Sequence, residues 1–230
     1  TPLKPFHYKI IHYDSPDARG VDVAMIYRPE RVRVVCSSPV RIQFPFDSTA
    51  RTRDILYVKA VLFSDDTVHL FVNHWPSRRG GYKESAPRRN FVAGVLKLKT
   101  DSILKANPRS NIIIMGDFND EPDNESIMLK LGAKPDTGNL RTTDLVNLMA
   151  PKLRQWNKGT IKYQGKWSVF DQFIVSASLI RNDSGLRTSE NDAHIYMAGF
   201  LLEEDKKFLG SKLKRTYAGP RYTGGFSDHL

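Results

Sequence analysis

A chain of 230 residues, 40% hydrophobic and 26% charged, is long enough for one sizeable domain and too apolar for wholesale disorder. Lysine and arginine number 35 against 25 aspartates and glutamates, a formal charge of +10. No apolar run reaches the ~18–20 residues of a membrane span, and no signal peptide opens the chain. The lone Cys36 excludes an intrachain disulfide and a cysteine metal cluster. The compartment stays open, because an exported chain whose signal has been removed would look the same.

The elements follow in chain order. Short apolar strands are expected at 9–13 and at 21–27, the second entered by the turn Asp17-Ala18-Arg19-Gly20 and stopped at Arg28-Pro29. Two longer strands, 55–63 and 68–73, flank Ser64-Asp65-Asp66-Thr67, which reads as a hairpin loop. A helix is predicted over 85–106, with Ser85 as N-cap, Pro87 in the first turn and an apolar face of Phe91, Val92, Val95, Leu96, Ile103 and Leu104. The run Asn-Ile-Ile-Ile-Met at 111–115 is apolar on both faces and too short for a helix, so it reads as a buried central strand. Short helices are expected at 124–131 and 143–149, a strand at 166–175, and mostly loop over the polar, glycine-rich 182–225. This order predicts a layered α/β sandwich of two packed sheets with helices outside.

The positive charge is concentrated. Residues 75–110 carry nine basic side chains, among them Arg78, Arg79, Arg88 and Arg89, against only Glu84 and Asp101, seven of the ten excess charges. Such a stretch favours polyanionic partners, nucleic acid or anionic lipid. Lys97, Lys99 and Lys105 read better as a solvated helix face.

Four clusters carry chemistry. Gly116-Asp117-Phe118-Asn119-Asp120 directly follows the central strand, and Asp117 and Asn119 are two apart, so in extended chain their side chains share a direction. A carboxylate and an amide on one side can align a water and hold a phosphoryl oxygen, although these residue types alone would make an ordinary turn. Asn73-His74-Trp75-Pro76-Ser77-Arg78 closes another strand, offering a proton donor in His74 and, in Arg78 and Arg79, partners for an anionic substrate. Asp171 is a carboxylate in an otherwise apolar strand, where it needs a partner. Ser227-Asp228-His229 lies at the C-terminal end of the sequence, where a frayed tail is the default.

In this order the four clusters resemble the endonuclease/exonuclease/phosphatase superfamily, in particular its deoxyribonuclease-like members, over roughly residues 20–230. Gly-Asp-Phe-Asn and Ser-Asp-His are the most specific parts, and Gly20–Pro29 is similar to an early strand of the family. The resemblance implies a four-layered α/β/β/α sandwich and phosphoester hydrolysis assisted by Mg²⁺ or Mn²⁺. It implies that His229 contacts the scissile phosphate, Asp171 orients His229, Asp117 aligns or deprotonates the attacking water, Asn119 neighbours it on the phosphate, and Asp228 associates with the metal. His74 matches a second histidine of the deoxyribonuclease-like members, where an acidic residue pairs with it, here Asp54 after Arg53. Asn73 and Arg78 are the expected substrate contacts.

The sequence also departs from the family. The Glu that serves the family as a principal metal ligand has no counterpart, since Glu30 does not match it, and the chain stops at Leu230. It is therefore expected to be a single domain over 1–230, incomplete at both ends, lacking N-terminal strands that a further segment would supply, and itself a weak metal binder that could be inactive. The leading expectation is a nuclease-type phosphodiesterase acting on nucleic acid. A phosphomonoesterase or sphingomyelinase-like hydrolase of a phosphorylated head group, and a non-catalytic polyanion-binding domain, are the alternatives. Asp171 and His229 are expected within hydrogen-bond distance, with Asp117 and Asn119 lining the same cleft.

Overall fold

The computed structural model describes residues 6–155, 157–181 and 185–230. The Thr1-Pro2-Leu3 start and the first residues of the 182–225 region lie outside these. Strands β1 (Lys9–His12) and β2 (Ala24–Tyr27) form an antiparallel hairpin. Next come β3 (Val32–Val40), β4 (Ile55–Leu62), β5 (Thr67–His74), helix α1 (Tyr82–Ala106) and β6 (Asn111–Asp117). The chain continues through β7 (Ala133–Lys134), β8 (Leu145–Asn147), the small hairpin of β9 (Ile161–Tyr163) and β10 (Lys166–Ser168), then β11 (Asp171–Ser176) and a short helix α2 (Ala177–Arg181). Two further short hairpins, β12 (Leu202–Glu204) with β13 (Ser211–Leu213) and β14 (Tyr217–Ala218) with β15 (Arg221–Tyr222), punctuate the region expected to be loop.

Seven of these strands form one mixed sheet in the order β3-β4-β5-β6-β11-β8-β7. β5 and β6 are parallel, and α1 is the crossover that a parallel pair requires. The alternation of β6 separates the layers. Ile112 and Ile114 join Phe71 against Val92, Leu96 and Leu104 of α1. Ile113 and Met115 face the other way, toward a cluster that includes Val58, Val68 and Leu70, packed by Ile11 and Met25 of the β1–β2 hairpin. The result is the α/β sandwich, with the second β layer represented among the described residues by that hairpin. No helix among them is long and apolar enough to cross a membrane.

Several elements differ from the sequence reading. α1 begins at Tyr82 rather than at 85, because Gly81 at φ 121° starts the helix and Ser85 Oγ donates back to the Gly81 carbonyl at 2.5 Å instead of capping. The expected helix at 143–149 is strand β8, since pairing of Leu145, Val146 and Asn147 with β11 overrides a short local preference. The expected strand at 166–175 is broken at Val169 and Phe170 into β10 and β11. At 124–131 the helix is a π-type turn over Ser126–Leu131. β3 carries no expectation at all, because its arginine, serines and proline dilute the apolar alternation of an edge strand with a bulge at Val34/Cys36.

Candidate active site

Sheet register puts three ionisable side chains in one row. His74 ends β5 directly opposite Asp117 of the parallel strand β6, and Asp171 begins the antiparallel strand β11 opposite Asp117 on its other side. The rim of the sheet therefore gathers residues far apart in sequence, as open α/β sheets do at strand ends. Gly116 makes this rim possible. Its φ is 128°, and a Cβ there would lie 2.0 Å from the Asn73 carbonyl oxygen of β5, so only glycine lets the two backbones meet just before Asp117.

His229 arrives from the C-terminal end of the sequence, which is anchored rather than frayed. Leu230 N donates to the Thr160 carbonyl at 2.8 Å, and His229 N to Ser227 Oγ at 3.1 Å. Thr160 Oγ1 also accepts the backbone N–H groups of Phe170 and Asp171, each at 3.0 Å. One buried threonine thus fixes both members of the next contact: His229 Nδ1 lies 2.6 Å from Asp171 Oδ2. The opposite ring nitrogen, Nε2, is 3.9 Å from Asp117 Oδ2, and His74 Nε2 approaches the same oxygen at 3.5 Å.

The environment separates the charge states. Burial pushes the Asp117 carboxyl up to about 6, assisted by the Asp171 charge and opposed by His229. Burial, with the charges of Arg53, Arg19 and His229, pushes His74 down to about 4, so its imidazole is neutral at pH 7. Burial also disfavours the charged form of His229, but the hydrogen bond and charge of Asp171, with Asp117 and Asp228, outweigh it and raise its pKa above the ordinary value. Asn119, at φ 50°, donates its backbone N–H to Asp117 Oδ1 at 2.7 Å. Its side-chain amide donates to Asp117 Oδ2 at 2.9 Å and to the Trp75 carbonyl at 3.0 Å, so it holds the carboxylate in place.

Other expected site residues are engaged elsewhere. Asp54 does not pair with His74. Its carboxylate accepts from Arg41 Nη1 at 2.6 Å and from Ile42 N at 2.9 Å, because the chain at 41–42 folds across the start of β4. Asn73 is buried, donating to the Phe71 and Met115 carbonyls and accepting from Trp75 Nε1 at 3.0 Å. Arg78 donates to the Asn119 carbonyl at 2.8 Å, to Asp120 Oδ1 at 3.0 Å and to Asn124 Oδ1 at 2.7 Å, between the rings of Tyr82 and Phe170. With Arg89, whose Nε is 2.7 Å from Asp120 Oδ2, it clamps the loop after β6 to α1. Arg88 pairs with Asp47 and Lys97 with Asp101, so much of the basic stretch at 75–110 is neutralised internally.

The donors in the cleft do not by themselves make a Mg²⁺ or Mn²⁺ site. These ions take oxygen ligands, and here Asp117 is flanked by two imidazoles, Asp171 is hydrogen-bonded to His229 and Asp228 is exposed. Among the described residues, the group of His, Asp, Glu or Cys donors close enough to share an ion is His12, Asp14 and Asp22, on the β1–β2 hairpin. Two contacts already engage it: His12 Nε2 to Asp22 Oδ2 at 3.1 Å, and Ser15 N to Asp22 Oδ1 at 2.7 Å.

Thr160 escapes sequence reasoning, for it sits in a segment with no motif, and Arg53 enters that reasoning only as the neighbour of Asp54. Arg53 is buried, donating to the His74 carbonyl at 3.1 Å and the Trp75 carbonyl at 2.6 Å, and so sets the main chain that presents His74.

A model of the endonuclease/exonuclease/phosphatase family matches residues 1–230. The chain belongs to that family. Solved structures similar to it include the human Nocturnin catalytic domain with bound sulfate anion (18% identity, 76% of this chain, 63% of that one, TM-score 0.54). A second is ANGEL2, a 2′,3′-cyclic phosphatase (13% identity, 76% and 64%, TM-score 0.56). A third is truncated Caenorhabditis elegans TDP2 (19% identity, 77% and 64%, TM-score 0.53). At these identities the likeness is one of fold, and the chain spans just under two thirds of each of these structures. No curated protein matches the chain. Within the endonuclease/exonuclease/phosphatase family, the motif residues Asp117, Asp171 and His229 converge in this chain on one rim of the seven-stranded sheet.

Proposed function

We propose that this member of the endonuclease/exonuclease/phosphatase family hydrolyses phosphodiesters of nucleic acid, with Asp117, Asp171 and His229 as its working groups. The observation that carries the reading is the Asp117 carboxylate, raised to about 6, standing 3.9 Å from an imidazole held by Asp171. A carboxylate with such a pKa is ionised at neutral pH and basic enough to take a proton in the transition state. Asp117 Oδ2 orients the attacking water and accepts its proton as the new P–O bond forms; the P–O bond to the leaving nucleoside oxygen breaks in the same displacement, and that oxygen takes its proton from solvent. His229, its Nδ1–H held by Asp171 Oδ2, keeps a proton on Nε2 and donates it to a non-bridging phosphoryl oxygen, offsetting charge there. Neutral His74 supplies a hydrogen bond without adding charge, and Asn119 fixes the Asp117 carboxylate for in-line attack.

A divalent ion belongs to this proposal as an added requirement that these residues alone do not satisfy, and no step above passes through it. Nucleic acid is favoured as substrate over a phosphorylated head group by the net charge of +10, which raises the local concentration of a polyanion. A panel of plasmid DNA, RNA, sphingomyelin and inositol phosphates, assayed with Mg²⁺ and with Mn²⁺, tests both parts. Cleavage of DNA or RNA alone is expected. Turnover of a head group alone would replace the nuclease reading, and binding of polyanions with no turnover would replace the hydrolase reading.

A further inference from the structure

The turn before β2 is built against the back of His74. Gly20 N donates to the Asp17 carbonyl at 3.0 Å, with Gly20 at φ 67°, closing a tight turn that carries Arg19 at its third position. Asp17 Oδ1 accepts the Arg19 backbone N–H at 3.0 Å and faces its Nε at 3.4 Å. The other carboxylate oxygen, Oδ2, accepts from Arg53 Nη1 at 2.8 Å, and both of these side chains are almost wholly buried, 4% and 5% exposed. Arg53 in turn holds the His74 and Trp75 carbonyls. A buried Arg–Asp pair is weak support for stability and is best attested where it fixes a register. Here it fixes an exposed arginine relative to the imidazole at the cleft.

Arg19 is a cation that this arrangement leaves available. Arg41, Arg53 and Arg78 place their nitrogens on protein oxygens, whereas Arg19 is 59% exposed and its weak Nε contact leaves the terminal nitrogens with room for an outside acceptor. Its charge reaches the site, because after burial Arg53 and Arg19 are the main causes of the low pKa of His74. Two terminal N–H groups in a planar fork match two oxygens of a phosphate. His229 already serves the scissile phosphate on the far side of Asp117.

We propose that Arg19 binds a second phosphate of the substrate, the one adjacent to the scissile phosphate, and so makes the cleft select phosphates in series over an isolated one. The inference rests on the reading of the cleft as a phosphoester site. A lysine there keeps the charge and loses the fork, so it should recover only part of the selection.

Calorimetric titration of the full chain with thymidine 5′-monophosphate and with thymidine 3′,5′-bisphosphate, in chelator, reads this without turnover. The wild-type chain should bind the bisphosphate at least about tenfold more tightly than the monophosphate. Arg19→Gln should weaken the bisphosphate about tenfold, the scale of one charge-assisted hydrogen bond, and change the monophosphate less than about twofold. Arg19→Lys should fall between. Equal affinity of the wild-type chain for the two anions, an undiminished preference in Arg19→Gln, or a parallel loss of both anions would overturn the inference. A parallel loss would mean that Arg19 serves the scissile phosphate itself. An Arg19-dependent preference in a chain that hydrolyses nothing would sink the hydrolase reading and leave this one standing.

Discussion

His229 and Asp171 are 58 positions apart in sequence, yet Nδ1 of one lies 2.6 Å from Oδ2 of the other. Nothing local forces this contact. It exists because β11 starts at Asp171 beside β6 and because Thr160 ties the 229–230 segment to the strand entry. The hydrogen bond occupies Nδ1 and leaves Nε2 facing the cleft, where it donates when the ring carries both protons.

Asp171→Asn should therefore act through the histidine. An amide neither carries the charge that raises the His229 pKa nor holds its Nδ1–H as strongly. In a pH–rate profile, the limb on which activity falls with rising pH reports loss of the His229 proton, and it should move to lower pH in the variant. An unmoved limb with a uniformly lower rate would mean that Asp171 is only structural.

Asp117 and His74 oppose each other in acid. Asp117, raised to about 6, contributes stability at low pH that is lost as pH rises through about 6. His74, lowered to about 4, contributes in the other sense: the unfolded chain takes up its proton first, so stability falls as pH drops from about 6.5 toward 4. Asp117→Asn removes the first effect and keeps the second. Urea denaturation between pH 6.5 and 4 should show a steeper loss of stability in the variant than in the wild-type chain, and parallel curves would contradict the assigned shifts.

Gly116→Ala should destabilise the chain by at least ~2 kcal/mol, because a Cβ 2.0 Å from the Asn73 carbonyl forces β5 and β6 apart at a φ that side chains rarely adopt. Thermal denaturation measures it. A stable variant with normal turnover would show that the rim tolerates movement.

Titration with Mg²⁺ should give a dissociation constant no tighter than about 10⁻³ M, since two imidazoles flank Asp117, Asp171 is bonded to His229, and the exposed Asp228 adds only one further carboxylate. Micromolar binding would show that the residues present suffice.

How far the sequence was legible depends on the length over which each signal runs. The Ile112–Met115 run and the apolar spacing of α1 are sustained, and they place the central strand and the crossover helix correctly. Leu145–Asn147 and Val32–Val40 are strands whose pairing partners, not their own patterns, decide their state. In the site, Asp117, Asp171 and His74 stand out because strand ends and an isolated polar residue in an apolar strand are visible in one dimension, whereas His229, in a segment that reads as a frayed tail, is carried by the Ser-Asp-His resemblance alone. Asp54 was drawn to His74 by adjacency to Arg53, whereas the contact that forms is with Arg41, across the β3–β4 connection. Arg78 and Asn73 read as open polar groups because burial and carbonyl partners leave no trace in local sequence. Thr160, whose hydroxyl aligns Asp171, belongs to no motif.

The most direct measurement is the rate of phosphodiester hydrolysis in a short oligonucleotide by the wild-type chain and by His229→Ala, with Mg²⁺ at about 10⁻² M so that a weak site is filled. The account predicts a wild-type rate at least ~100-fold above that of the variant, the low end of what one positioned proton-transfer group supplies, with the variant still folded by circular dichroism. Equal rates in the two proteins, or a wild-type rate no higher than that of the buffer, would contradict it.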